Sequence, residues 1–313
     1  MSRVITNLEE ILENFQCVLF DTSIGASNFM RYLQSKSSFS SIDKERILEE
    51  IRVLEDTRKL TSARNVLTIE EVVNEFCKFV ELIGRNIAFL SNSERTDFKG
   101  FRDLYFQRRF DKIYSKSIEN KRLLYQLQID AYDLYKKCKR RILKIEDDRY
   151  PILIEMIQLL DKSIELKRDT NYREGTRESP NTSSDTDEKL LAALYSQIIN
   201  NEDDAILLTR DTDFYRLTGV CSRLFVSPDF LPYNEQFRER IKKFPPLIAT
   251  PKEKEYGVEI FDDLYFDDYF LIKNISYRMS ESIKCKLTDL WRKFSESSYE
   301  ISVSDNLSLS HPN

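Results

Sequence analysis

The chain predicts an α/β fold: a parallel sheet flanked by helices, carrying a large helical insertion and a C-terminal helical extension. Three observations carry that expectation. Two short, wholly apolar runs, Cys17-Val18-Leu19-Phe20 and Ala205-Ile206-Leu207-Leu208, are bounded by polar residues, the pattern of strands buried on both faces. Segments of helical period alternate with them. Only 6 Gly and 8 Pro occur among 313 residues, and so few breakers favour long helices over an all-β sandwich.

In chain order, Asn7 to Phe15 reads as a helix with Leu8, Ile11, Leu12 and Phe15 on one face. The strand Cys17 to Phe20 follows and stops at Asp21. A helix from about Ala26 to Leu33, a Ser-rich connection and a charged helix from about Asp43 to Ser62 lead to a second short strand, Asn65 to Thr68. Thr68 with Glu71 makes a T-x-x-E capping box, so a helix carrying Val72, Glu75, Phe76 and Phe79 starts there. From about Ser93 to Arg168 the pattern is almost purely helical. Residues 169–184 are polar and include a Gly and a Pro, the signature of a flexible loop. Asp187 opens a helix with Leu190, Leu191, Leu194 and Ile198 as its buried stripe. The strand Ala205 to Thr209 then runs into Arg210-Asp211-Thr212-Asp213. A third strand over Arg223 to Val226 and helices over Asn234 to Lys243 and Ser276 to Phe294 complete the reading. The resulting organisation is a discontinuous α/β domain over 1–92 and 185–245, a basic helical insertion over 93–168, the loop 169–184 and an extension over 246–313.

Charge divides the chain unevenly. The total is 48 Lys and Arg against 53 Asp and Glu, a net −5, yet residues 95–144 hold 15 basic and 6 acidic residues. A basic face on an otherwise acidic protein points to a polyanionic partner. Aromatic residues are interleaved with the charges, and cations with ring platforms are what single-stranded nucleic acid binding uses. Arg108, Arg109, Lys136, Lys137, Lys139, Arg140 and Arg141 form the candidate RNA track. Histidine occurs once, at His311, so chemistry that needs a core histidine, such as a Ser-His-Asp triad or a His-ligated zinc, is not expected. Five scattered cysteines without a C-x-x-C pair read as reduced thiols of a cytoplasmic protein. No apolar run approaches the roughly 20 residues of a membrane span.

Carboxylates are therefore the candidate reactive groups. Two buried strands end in acid, at Asp21 and Asp211, and Glu75 and Asp187 lie on helices expected at the same sheet edge. In an open parallel sheet the carboxyl ends of the strands line the ligand crevice. Clustered carboxylates repel unless a cation neutralises them, and oxygen-only ligands favour Mg²⁺ or Mn²⁺. Such a site supports metal-assisted phosphodiester hydrolysis without histidine. A haloacid-dehalogenase-type phosphatase would need a second Asp where Ser23 stands.

The segments VLFDTS (Val18 to Ser23), VLTIEEVVNEF (Val66 to Phe76), TDEKLLAAL (Thr186 to Leu194) and AILLTRDTDF (Ala205 to Phe214) occur in an order that resembles the PIN-domain nucleases. The resemblance implies a Rossmann-like α/β/α fold whose acids bind Mg²⁺ or Mn²⁺ and cut single-stranded RNA, with DNA as the alternative substrate. On it, Asp21 matches the first-strand acid, Glu75 the helix acid, with Glu71 as its rival, Asp187 the acid opening the later helix and Asp211 the acid after the LLT strand. Asp213 is a further metal-ligand candidate, and Thr209 or Ser23 would orient a ligand or water. The 111 residues between Glu75 and Asp187 exceed the family's usual spacing, which identifies the basic segment as an insertion. The resemblance also leaves an antitoxin-like or complex partner, and an inactive RNA- or protein-binding scaffold, as alternatives.

Overall fold

The computed structural model describes residues 4–25, 29–100, 107–163, 185–200, 204–211, 213–252, 255–261 and 281–307. In chain order the elements are β1 (Val4–Thr6), α1 (Leu8–Asn14), β2 (Cys17–Phe20), α2 (Phe29–Gln34), α3 (Lys44–Leu60), β3 (Val66–Leu67), α4 (Glu70–Gly100), α5 (Gln107–Lys139), α6 (Tyr150–Ser163), α7 (Thr186–Asn200), β4 (Ala205–Leu208), α8 (Asp213–Phe225), α9 (Glu235–Lys243), β5 (Leu247–Lys252), β6 (Glu255–Ile260) and α10 (Glu281–Leu307). They divide into two units, residues 1–19 with 144–313 and residues 20–143. Among the described residues no helix is long and apolar enough to cross a membrane. The loop expected over 169–184 lies outside the described residues.

The first unit is built on a mixed sheet in which the strands follow the order β1-β6-β5-β4-β2. All four residues of β2 and of β4 are buried, as their apolar runs require. β4 pairs parallel with β5, Ile206 opposite Leu247 and Leu208 opposite Ala249. β5–β6 and β6–β1 are antiparallel, which corrects the expected all-parallel sheet. The cause is local: two residues separate β5 from β6, and so short a connection closes only an antiparallel hairpin. The chain after residue 246 is thus part of the sheet as well as a helical extension. The expected strand over Arg223 to Val226 is instead the end of α8. Phe214, Leu217, Cys221, Leu224 and Phe225 are all buried, and that helical period outweighs the strand propensity of four residues.

An aromatic cluster joins the helices of this unit. Trp291 of α10 meets Phe237 of α9 at 5.1 Å and Phe225 of α8 at 5.5 Å, and Tyr195 of α7 meets Phe225 at 5.3 Å, all edge to face. Ahead of α6, Asp147 is bound by the Arg149 guanidinium at 2.9 Å and by the Asn200 amide at 2.5 Å, tying that approach to the end of α7.

In the second unit α5 packs against α3 and α4. Its buried stripe is Ser117, Asn120, Leu124, Leu127, Ala131, Leu134 and Cys138, a helical period throughout. The buried Asn120 amide donates to the carbonyls of Phe39 at 2.8 Å and Ile42 at 3.0 Å, pinning that turn to α5. Gly84 of α4 lets the Gln128 side chain of α5 approach, since a Cβ there would lie 2.6 Å from its amide. The helix α4 runs unbroken past residue 92.

Candidate active-site acids

In the second unit, Asp21 closes β2 and opens a 3-10 turn over Thr22–Ile24, its carboxylate accepting the Ser23 N–H at 3.2 Å. It is 5 % exposed, which is unusual for an acid. Three contacts secure this turn. The Thr68 hydroxyl donates to the Phe20 carbonyl at 3.0 Å. The Thr57 hydroxyl of α3 lies 3.1 Å from the Ile24 carbonyl. Gly25 sits against α4 so closely that a Cβ would come within 2.8 Å of the Phe76 ring. That approach brings the preceding residue, Glu75, within reach, and the Thr22 hydroxyl donates to Glu75 Oε2.

Residues 53 positions apart are thereby joined, and of the rivals Glu71 and Glu75 it is Glu75 that Thr22 holds. Thr22 was not among the sequence candidates, though its place directly after Asp21 was the available signal. Glu50 is a buried acid outside the sequence candidates. It is 2 % exposed and occupies an apolar-stripe position of α3 with Ile47, Leu54 and Thr57. An acid in register with such a stripe is the signal that could have found it.

In the first unit, Asp187 lies in the first turn of α7, where a carboxylate complements the helix dipole. α7 packs on β4, and four residues separate Asn200 from Ala205, so the helix and strand run back antiparallel. The start of α7 and the end of β4 therefore lie at the same end of this unit. Beyond β4, Thr209 is buried and extends the pairing with β5 by donating its N–H to the Ala249 carbonyl at 3.0 Å. The Thr209 hydroxyl accepts the Asp211 N–H at 2.9 Å, an ST turn that sets Asp211 at the strand end. Asp213 begins α8, and its side chain lies outside the described residues. Among the described residues no group of three or more His, Cys, Asp or Glu is arranged to hold a metal ion.

The expected RNA track separates into different environments. Arg141 binds the carbonyls of Thr61 and Ser62 at 3.2 Å each and of Arg64 at 3.5 Å. Lys137 reaches the Arg58 carbonyl at 3.3 Å and Ser62 Oγ at 3.1 Å. Both cations cap the C-terminal end of α3, where the helix leaves unpaired carbonyls and partial negative charge. Lys136, Lys139 and Arg140 are exposed, and the side chains of Arg108 and Arg109 lie outside the described residues. Comparison of the chain with protein-family models, with curated proteins and with solved structures returns no match.

Proposed function

We propose that the protein is a metal-dependent endoribonuclease that hydrolyses phosphodiester bonds of single-stranded RNA, with Asp21, Glu75, Asp187 and Asp211 as its acids. The observation that carries this reading is the Thr22–Glu75 hydrogen bond, which links an acid of α4 to the turn opened by the buried Asp21. Two acids from distant parts of the chain are thereby gathered at one turn, Asp21 at its start and Glu75 on its Thr22 hydroxyl.

The donor chemistry fits Mg²⁺ or Mn²⁺. All candidate ligands are oxygens, and Mg²⁺ commonly takes one or two carboxylates and leaves its other positions to water and substrate phosphate. On the PIN-domain resemblance, Asp21, Asp187, Asp211 and Asp213 would be the residues to hold the ion. When bound, it would polarise the phosphoryl oxygen and lower the pKa of the attacking water. The chain's own contribution is orientation. The Ser23 N–H positions the Asp21 carboxylate, Thr22 positions Glu75, and the Thr209 hydroxyl holds the backbone of Asp211. Exposed cations at the end of α5 would engage the phosphates.

The test is incubation of labelled single-stranded RNA and DNA with Mg²⁺, Mn²⁺ or EDTA, comparing the wild type with Asp21→Asn and Asp211→Asn. Metal-dependent cleavage should fall about 100-fold or more in each variant, as loss of several kcal/mol of charge stabilisation requires. Undiminished cleavage in both variants would overturn the assignment of the acids. Binding of RNA with no cleavage of any substrate would favour the inactive scaffold.

A further inference from the structure

The helix α5 shows solvent a face that its packing does not explain. On the side of α5 away from its buried stripe stand Tyr114, Ile118, Tyr125, Ile129 and Tyr132, each 46 to 55 % exposed. Their spacing of 4, 7, 4 and 3 residues keeps them on one side of the helix. Five large apolar side chains in a row on solvent is a pattern that marks an interaction surface. The same face carries Arg122 and Lys136, both exposed, with Lys139 and Arg140 exposed at its C-terminal end. The Tyr132 ring stacks on Tyr135 at 6.1 Å and lies 4.2 Å from the Lys136 ammonium, so rings and a cation are presented together.

We propose that this face of α5 is a stacking platform for single-stranded polynucleotide, in which Tyr125 and Tyr132 take bases and Arg122, Lys136 and Arg140 take the phosphates on either side of them. The proposal rests on the nuclease reading for its substrate class and names where that substrate lies outside the acids. Charge selects this occupant. α5 has 9 Lys and Arg against 4 Asp and Glu, and of those acids Glu119 is already paired with Lys44 at 2.5 Å. A second copy docked on the same face would set like charges against one another, whereas a polyanion neutralises them. The residue types agree, because rings offer faces that every base can stack on, whereas a helix seam would favour Leu and Ile. The dimensions agree as well. Tyr125 and Tyr132 are seven residues apart, about 10 Å along the helix at 1.5 Å per residue, the rise of about three stacked nucleotides. Lys137 and Arg141 are excluded from this surface because they cap α3.

The test is fluorescence anisotropy with a labelled 12-nucleotide single-stranded RNA in EDTA, so that binding is read without cleavage. The probes are the wild type, Tyr125→Ala with Tyr132→Ala, and Tyr125→Phe with Tyr132→Phe. Loss of both rings should weaken binding about 25-fold or more, at roughly fivefold or more per stacked base, while the Phe pair stays within about twofold. Lys136→Ala with Arg140→Ala should reduce the slope of log K against log salt by about 1.4. Wild-type affinity in the Ala pair, or no binding by the wild type, would overturn the proposal. A dimer in light scattering that the Ala pair abolishes, with anisotropy unchanged, would overturn it in favour of a second copy. Binding that depends on the rings in a protein that cleaves nothing would leave the platform standing and remove the nuclease reading.

Discussion

At the scale of single residues, short polar contacts decide where the acids are. Thr22 and Gly25 flank the point at which α4 meets the β2 turn, one by supplying a hydroxyl to Glu75 and the other by supplying no side chain against Phe76. Asp147 shows the same economy in the other unit. Burial raises its pKa, but the Arg149 and Asn200 side-chain bonds, the Arg149 N–H and the Arg149 charge outweigh burial and leave the carboxyl below its ordinary value. A carboxyl lowered on folding stabilises the fold at neutral pH, and that contribution is lost as pH falls through its lowered folded value. Asp147→Asn should therefore lose about 1–3 kcal/mol near pH 7. Its stability should also fall less steeply than the wild type's below about pH 4, the range in which unfolded aspartate titrates. Urea unfolding across that range reads both effects, and parallel pH profiles for the two proteins would contradict the assignment.

At the scale of elements, α5 has two roles that composition alone merges. Its basic C-terminal end contains cations of different duty: Lys137 and Arg141 complete the end of α3, while Lys136, Lys139 and Arg140 face solvent. Arg141→Ala should destabilise the protein by about 1–3 kcal/mol, because three backbone carbonyls lose a charged donor. It should leave the salt dependence of RNA binding unchanged. Thermal unfolding together with salt titration separates the two, and a lower salt slope in this variant would return Arg141 to the phosphate track. The run of Lys and Arg is legible in the sequence; which side of the helix each occupies follows from where α3 ends.

At the scale of the whole molecule, each of the two units has its own core and its own buried thiols. Burial pushes Cys17 of the first unit up to about 12 and Cys138 of the second up to about 12, and it also raises Cys221 strongly, while Cys285 is exposed. Because the thiolate is the reactive form, a thiol reagent at pH 8 should modify Cys285 rapidly and reach Cys17, Cys138 and Cys221 only when their unit unfolds. Mass-spectrometric mapping across a denaturant series reads this. Modification of Cys138 or Cys221 in the native protein would contradict the burial. Raised thiol pKa values favour the neutral folded form, so this contribution to stability holds below about pH 9 and disappears as pH rises toward 12.

What the sequence determined by itself is the set of elements whose signal is local. The strands β2 and β4 could be read because four consecutive apolar residues stop at polar ones, and most helices because their apolar period is 3.6 and their breakers are few. The acids at strand ends and at the start of α7 were legible for the same reason, since a strand end and a helix cap are local events. Only the tertiary structure decided the rest. β5 and β6 have weak patterns of their own, with Thr250-Pro251 and Gly257 inside them, and become strands by pairing with β4 and β1. The residues over Arg223 to Phe225 became helix because the face they complete is buried. Glu75, rather than Glu71, meets Thr22 because Gly25 admits Phe76. That choice depends on how closely two distant segments approach, which pattern and propensity do not encode.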